Sequence, residues 1–327
     1  MSEFLLELYS EEIPPKLQIN AREELKQSIE KSFKEESLDY KSIFSYSSPT
    51  RLTIFIKDVP EEINIAAKEI KGPKLGVPEN ILNSFIKAHK VTKKDIFEKE
   101  NEKGRFYFIK TKPKKIFTYN LLIKIILNSI ASLNWKKSMR WSDKEIIWGR
   151  PLRSILAIFN KKKLSFNYGH LRSGDLAIVE KDLVTKYKKI KSYSEYKKFL
   201  KDNKIIFDHN ERMVIIKNKF EKICKSKNFK KIIDFNLLEE VVNITEDPNI
   251  LLIDFNKDYL KIPSDIIIST LQKHQKYFPL FDNQNRLTNF FLVVSNKIDK
   301  NNIIKFGNER VVEARLSDAK FFWQKDK

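Results

Sequence analysis

Glycine is scarce in this 327-residue chain, which contains only seven. No two glycines are two residues apart, so the dinucleotide-binding pattern G-x-G-x-x-G is absent. Gly169 and Gly174 have the spacing of a P-loop, but Asp175 and Leu176 follow where that loop requires Lys and then Ser or Thr. The sequence therefore predicts no glycine-rich cradle for the phosphates of a nucleotide.

Residues that ligate metals or act as nucleophiles are also few. A single cysteine, Cys224, excludes a disulfide framework and a multi-cysteine zinc site. The four histidines lie far apart, and none has a metal-type neighbour at helical spacing. Cys224 belongs to a helical stretch, which favours a small buried side chain over a nucleophile. We therefore predict neither a catalytic residue nor a metal ligand on this chain.

Long apolar runs are missing as well. The longest, "LLIKIILNSIASL", is interrupted by Lys124 and Asn128 and is shorter than the ~20 residues of a membrane span. The N-terminal "MSEFLLELYSEE" is acidic and lacks the basic start of a secretory signal. These features predict a cytoplasmic protein with no membrane partner.

Positive charge, in contrast, is abundant, with 63 Lys and Arg against 43 Asp and Glu. A net charge of +20 indicates a nucleic-acid partner, or else a lysine-rich composition without function, and both interpretations stay open. Only eleven of the basic residues are arginine, so each arginine is a candidate for a site that needs its planar fork. Arg140, Arg150 and Arg153 form one cluster, and Arg310 and Arg315 form another.

The first arginine cluster lies in "MRWSDKEIIWGRPLR", which also contains Trp141 and Trp148. Arginine can hold phosphate with two hydrogen bonds, and tryptophan can stack on an unpaired base. This stretch is therefore a candidate RNA contact. The alternative is a packing cluster of tryptophan and arginine, with Asp143 or Glu145 as the acidic partner.

Two other places are candidates for RNA or subunit contact. "QKHQKYF" puts Lys273 and Lys276 at a helix-to-strand corner, which suits either phosphate binding or a solvated turn. Arg310 and Arg315 lie on the last helix, where Arg315 and Asp318 also have the i, i+3 spacing of an intrahelical ion pair.

The order of the predicted elements indicates an α+β fold with mixed helices and short antiparallel sheets in about two domains. Four-residue steps from Leu17 to Phe33 predict a helix after the first strand. Residues 61–100 are expected to be polar and helical. The stretch 182–231 is expected to be lysine-rich helix. We divide the chain into an N-terminal α+β domain (1–180), a lysine-rich helical segment (181–235) and an α+β segment with a hairpin and terminal helix (236–327).

The final stretch, "GNERVVEARLSDAKFFWQKDK", predicts a helix with Val312, Leu316, Ala319 and Trp323 on one apolar face. No stop signal follows, although Trp323 is four residues from the end. We therefore expect its aromatic residues to have packing partners beyond the end of the sequence, and the chain to be a truncated portion of a longer protein.

Several strings in this order resemble one family. They are "ELYSEEIPPK", "SPTRLTI", "KGPK", "MRW", "GRP", "LLEEVVNITEDP", "KHQKYFPLFD" and "GNERVVEARLSDAKFFW". Together they are similar to the N-terminal portion of the β subunit of bacterial two-subunit glycyl-tRNA synthetases, and the last two are the most specific.

The resemblance implies a ligase that charges tRNA(Gly) with glycine in two steps. ATP and Mg would be substrates of the holoenzyme, with no cofactor on this chain. The class II catalytic core would lie on the α subunit of a heterotetramer, so this chain alone would be non-catalytic. Its partners would be the α subunit and tRNA(Gly). The resemblance further implies that the β subunit continues beyond these residues into an HD-like region and an anticodon-binding domain.

Two alternatives remain beside this function. The chain could be a non-catalytic subunit-interaction scaffold whose charge is compositional. It could also be an editing-type hydrolase, although glycine is the smallest substrate and larger amino acids can be excluded sterically. The candidate RNA- or subunit-contact residues are Arg140, Trp141, Arg150, Arg153, Lys273, Lys276, Arg310 and Arg315.

Overall fold

The computed structural model describes residues 2–326 except positions 66, 68, 90, 102, 103, 112, 142–145, 182 and 231, and except the side chains at 65, 101, 114 and 141. Helices and strands are both plentiful in the described residues. The helices are α1 (Pro15–Glu35), α2 (Glu79–Ala88), α3 (Thr118–Ala131), α4 (Tyr193–Asp202), α5 (His209–Lys227), α6 (Phe235–Ile244), α7 (Ser264–Ser269) and α8 (Ile303–Lys325).

The strands are mostly short and pair antiparallel. They are β1 (Ser2–Ser10), β2 (Ser42–Ser48), β3 (Arg51–Val59), β4 (Glu62–Ile65), β5 (Glu69–Lys74), β6 (Ile96–Asn101), β7 (Gly104–Lys110), β8 (Lys114–Phe117), β9 (Met139–Trp141), β10 (Ile146–Trp148), β11 (Leu152–Phe159), β12 (Lys162–Lys163), β13 (Asn167–Tyr168), β14 (Leu171–Arg172), β15 (Leu176–Lys181), β16 (Val184–Lys189), β17 (Asn249–Asp254), β18 (Phe278–Phe281) and β19 (Leu287–Ser295).

The first half of the chain is built on a five-stranded sheet in the order β12-β11-β1-β3-β2. Alternate residues of a strand point to opposite faces, so Phe4 and Leu6 of β1 meet α1 and α3, whereas Leu5 meets α4 and the β15–β16 hairpin. The helix α1 buries Leu25 and Ile29 completely, in the predicted four-residue pattern. Each such side chain stabilises the fold by about 1.5–3 kcal/mol.

The second half is built on a three-stranded sheet in the order β17-β19-β18. One face packs against α5 and α6 through Phe220 and Val241. The other packs against α7 and α8, where Val312 and Leu316 of the predicted apolar face are fully buried. Trp323 packs against the edge of this core. We refer to the two layered units as the first and second sandwich.

A smaller sheet, β5-β7-β6, lies in the chain between β4 and β8, which pair with each other. Its covering helix is α2, because a Cβ atom at Gly72 of β5 would lie only 2.6 Å from the Phe85 ring of α2. This unit is thus an insertion between the strands and helix α3 of the first sandwich.

The α+β class is confirmed. The expectation of a helical stretch at 61–100 is wrong, because the described residues there form β4, β5 and β6 with the helix α2 and a short 3-10 turn, Lys93–Asp95. Within the lysine-rich segment, Val184–Lys189 is a strand paired with β15. In both places the strands are at most six residues long, so the two-residue alternation that identifies a strand repeats too few times to be recognised. The three-part domain division stays a prediction. No helix in the described ranges is long and apolar enough to span a membrane.

Candidate RNA-contact surfaces

The hairpin β9–β10 carries the first predicted arginines. Arg140 is exposed and pairs in register with Ile147, and the adjacent Met139 is 45 % exposed. The Nη1 atom of Arg150 lies 3.6 Å from the Met139 Sδ and 3.4 Å from the Gly149 carbonyl oxygen. The structure therefore brings Arg140 and Arg150 to the same hairpin.

Trp148 is unavailable for stacking on a base, because it is fully buried. Its ring packs against Trp135 at a centroid distance of 4.8 Å. Position 149 requires glycine, because a Cβ atom there would lie 2.4 Å from the Trp135 ring. Trp148 is therefore a packing residue, but its partner is a second tryptophan rather than the arginine that the packing alternative named. The Trp141 side chain and residues 142–145, with Asp143 and Glu145, lie outside the described residues.

Arg153 is held by neighbours in the first sandwich. Its Nη1 atom donates to the Glu180 carboxylate, and its guanidinium lies 5.8 Å from the centre of the Tyr9 ring. Burial, chiefly, raises the pKa of Tyr9 to about 12, so Tyr9 is neutral. Because Glu180 neutralises it, Arg153 is less suited to phosphate than Arg140.

Lys273 and Lys276 lie at the predicted corner, on either side of the end of a π-helical turn, Thr270–His274. They line a groove of about 500 Å³ that Lys16 at the start of α1 also lines. The Lys276 Nζ atom pairs with Glu240 of α6 at 3.1 Å. Glu239 and Asp234 add negative charge to the same groove, so it is mixed in charge rather than a basic pocket.

The helix α8 exposes both of its predicted arginines. The predicted ion pair between Arg315 and Asp318 is absent among the described residues, and no other ion pair there involves Arg310 or Arg315. The same helix also exposes several large apolar side chains. They are Ile303 (70 %), Phe306 (57 %), Val311 (41 %), Phe321 (52 %) and Phe322 (63 %). The candidates thus occupy three places, on β9–β11, at the α6 groove and on α8.

A buried ionic cluster, which sequence reasoning missed, joins the two sandwiches. Arg51 is 1 % exposed, and its Nε atom donates to Glu7 at 3.0 Å. Its Nη1 atom lies 3.5 Å from Glu246, and Ser48 donates to the same carboxylate oxygen at 2.9 Å. The Tyr196 hydroxyl donates to Glu7 at 2.5 Å. These groups tie β1, β3 and α4 to the segment between α6 and β17.

Glu7 is the most constrained member of this cluster. Complete burial raises the pKa of its carboxyl, against the Arg51 charge and the Tyr196 hydrogen bond, which lower it. Its Oε1 atom is buried and has no hydrogen-bond partner within the described residues. A buried carboxylate of this kind depends on its arginine, since an unpaired buried charge is strongly destabilising.

A second buried arginine, Arg212 of α5, also connects the two sandwiches. It donates to the carbonyl oxygens of Ser47 (2.9 Å), Ile206 (2.6 Å) and Val242 (2.9 Å). Burial, chiefly, lowers its pKa to about 10, so it stays charged at neutral pH. Burial, followed by the charges of Arg22 and Arg212, lowers the pKa of the neighbouring His209 to about 3.

The strings that carried the family resemblance explain part of this arrangement. Glu7 belongs to "ELYSEEIPPK", Arg51 to "SPTRLTI" and Glu246 to "LLEEVVNITEDP". These strings lie far apart in the chain, yet their charged residues meet in one cluster, in which Glu7 and Arg51 are buried and Glu246 is half-buried. The signal was present as an unusual glutamate inside an apolar strand, "EFLLELYS".

Within the described residues, no group of three or more His, Cys, Asp or Glu side chains could hold a metal ion. Cys224 is buried in the second sandwich, as predicted. The exposed candidate side chains offer cationic contacts on β9–β11 and on α8, and α8 also exposes apolar side chains.

Comparison with known proteins accounts for the whole chain. A family model described as glycyl-tRNA synthetase beta subunit matches residues 4–327. The glycine–tRNA ligase beta subunit of Rickettsia felis is 36% identical over 329 residues, which cover 100% of this chain and 49% of that protein. The corresponding subunit of Rickettsia prowazekii is 36% identical over 327 residues, with the same two coverages, 100% and 49%. The chain thus spans about half the length of the curated relatives it matches.

Proposed function

Since the chain belongs to the family of glycyl-tRNA synthetase β subunits, we propose that it acts as the N-terminal portion of such a subunit. In this role it binds tRNA(Gly) and supports an assembly that joins glycine to that tRNA. The α subunit carries out the catalysis, with ATP and Mg as substrates of the cytoplasmic heterotetramer. The match over residues 4–327 is the observation that carries this proposal.

The exposed arginines support the RNA-binding part of the proposal. Arg140, Arg310 and Arg315 are exposed and have no ion pair with another described residue. A guanidinium without a carboxylate partner can pair with phosphate without first breaking a salt bridge. Arg153 and Lys276 contribute less to this surface, because Glu180 and Glu240 already neutralise them.

Titration of labelled tRNA(Gly) with the chain over a range of salt concentrations tests RNA binding. Each phosphate that the protein neutralises releases counterions, so the affinity should fall steeply as salt rises. A flat dependence between low and moderate salt would contradict RNA binding by this surface. A tRNA-sized acidic polymer without bases, such as heparin, is the control for non-specific charge.

An assembly role without RNA binding is the second candidate, and the exposed apolar side chains of α8 favour it. Phe306, Phe321 and Phe322 are each more than half exposed, which is costly for large aromatic residues that face water. Co-purification with the α subunit distinguishes the two functions. A chain that retains the α subunit but does not bind tRNA would establish the scaffold function instead.

A further inference from the structure

The small sheet β5-β7-β6 has two unlike faces. In the register of β6 and β7, Phe97 lies opposite Phe108, and Lys99 lies opposite Phe106. On the other side of β7, Lys71 lies opposite Phe108. Because alternate residues of a strand share a face, these side chains lie together on one side of the sheet. We call it the aromatic–lysine face; its members are Glu69, Lys71, Lys74, Phe97, Lys99, Phe106, Phe108 and Lys110.

The opposite face of this sheet is occupied by its own helix. Ile109 points to that side and is fully buried. The close approach of Phe85 to Gly72 places α2 directly on it. Helix α2 therefore covers one face of this small sheet, and the aromatic–lysine face is the opposite face, which α2 does not cover.

The rings of the aromatic–lysine face are accessible and close together. Phe97 and Phe108 are stacked, with centroids 6.0 Å apart and planes inclined by 27°. The Lys71 Nζ atom lies 3.4 Å from the centre of the Phe106 ring. All three phenylalanines are partly exposed, and none belongs to the buried cores of the two sandwiches.

The charge of this face is strongly positive. Four lysines share it with one acidic residue, Glu69, which pairs with Lys99 at 2.6 Å. Lys71, Lys74 and Lys110 have no ion pair among the residues that the structure describes. Three cations thus surround a row of aromatic rings without a compensating carboxylate.

We propose that the aromatic–lysine face binds an unpaired segment of RNA, with bases stacked on Phe106 and Phe108 and phosphates held by the lysines. Aromatic rings on an open sheet stack on splayed bases, and the surrounding cations follow the backbone. A duplex keeps its bases paired and cannot offer them to the rings. The choice of RNA over DNA rests on the function proposed above.

The position of Lys71 over the Phe106 ring affects how a base can stack there. A base that stacks on Phe106 displaces the Lys71 ammonium from the ring and leaves it free to meet a phosphate. An exposed cation–π contact corresponds to about two- to fivefold in an equilibrium constant. Stacking of one base on an aromatic ring corresponds to about five- to 150-fold, which exceeds the cation–π contact, so the exchange favours the bound state.

The test is a fluorescence-anisotropy titration of the full chain with labelled oligouridylate of about twelve nucleotides, a length within the usual site size. Phe106→Leu and Phe108→Leu keep apolar volume but remove the ring, and each should weaken binding about tenfold. Phe106→Tyr keeps the ring and should bind like the wild type. Circular dichroism and thermal unfolding confirm that the variants are folded.

A lysine pair supplies a matched control that does not depend on the phenylalanines. Lys71→Gln removes a cation from the aromatic–lysine face, and Lys87→Gln removes one from α2 on the covered side. Lys71→Gln should lower the slope of log affinity against log salt by about 0.7 for a single strand, while Lys87→Gln should leave it unchanged.

The outcomes separate this inference from the proposed function. If the wild type binds tRNA with a steep salt dependence but the ring variants bind oligouridylate as well as the wild type, this inference alone is wrong. If the wild type binds neither RNA, both are wrong. Equal binding of a matched RNA duplex, or of polyglutamate, would also overturn the inference, because charge would then suffice without stacking.

Discussion

Two groups of arginines in this molecule have opposite environments. Arg51 and Arg212 are 1 % and 0 % exposed and hold the junction of the two sandwiches together. Arg140, Arg310 and Arg315 are exposed and lack ion pairs among the described residues. In a lysine-rich chain, the use of arginine marks a position that needs a planar fork. Such a position can therefore be a buried structural contact as readily as a binding surface.

The physical difference between the groups is desolvation. A buried arginine that loses its role leaves buried acceptors or a buried carboxylate behind, which is costly. An exposed arginine leaves only water-accessible surface, so its loss scarcely affects folding. Stability measurements and RNA-binding measurements should therefore separate the two groups cleanly.

The largest effect is expected for Arg51→Met. It leaves Glu7 buried without its cation, so the free energy of unfolding in urea should fall by about 3–5 kcal/mol. The double variant Glu7→Gln, Arg51→Met removes both charges and should recover part of that loss. A single-variant loss below about 1 kcal/mol would contradict the buried-pair assignment.

A smaller loss is expected for Arg212→Met. Three carbonyl oxygens lose their donor, the buried ones of Ser47 and Val242 and the part-buried one of Ile206, which should cost about 2–4 kcal/mol. Arg212→Lys keeps the charge but cannot reach three acceptors at once, so it should restore only part of the stability. Chemical denaturation measures both variants, and full rescue by lysine would show that charge alone matters.

The next effect concerns pH. The folded-state pKa of His209 is about 3, below the 6.5 of an unperturbed histidine. The unfolded chain therefore binds the extra proton between these values, and stability should fall as the pH drops through this window. One proton contributes at most about 1.4 kcal/mol per pH unit. His209→Gln should flatten the pH dependence by this amount, and an unchanged slope from pH 6.5 to 4 would contradict it.

The smallest effect on stability is expected for the exposed arginines. Arg140→Gln, Arg310→Gln and Arg315→Gln should each change the free energy of unfolding by less than about 0.5 kcal/mol. Each that contacts tRNA should lower the salt slope of binding by about 1. Arg153→Gln is the matched comparison, because Glu180 already neutralises that side chain. An equal effect at Arg153 would show that bulk charge governs binding.

The spacing of apolar residues along the sequence predicted much of the helical structure. The α1 stripe is buried from Ala21 to Phe33, and Val312 and Leu316 of the α8 face are buried, whereas Ala319 and Trp323 are half-buried. Helical periodicity depends only on neighbouring residues, so it could be read from the sequence. The stretch 61–100 was misassigned, since its strands are short and find partners far away in the chain, as β4 does with β8. Pairing of that kind leaves little trace in a single segment.

The sequence predicted which residues are candidates for binding, but it did not predict whether each side chain is exposed or which partners it has. Arg140, Lys273 and Arg310 are accessible, yet nothing local distinguished them from Arg153, whose partner Glu180 comes from a hairpin later in the chain. Trp148 looked like Trp141 in sequence and proved to be core. The aromatic–lysine face went unnoticed because its three strands were not recognised as a sheet.

The sequence by itself determined the family, the α+β class and the helical faces that build the two cores, because these depend on motifs and on short-range periodicity. Only the tertiary structure shows which charged residues form buried structural contacts and which are exposed on the surface. Glu7, Arg51 and Glu246 become partners only when β1, β3 and the segment after α6 converge. These side chains are removed from water only when the three segments pack together, so their burial could not be predicted from any one stretch of sequence.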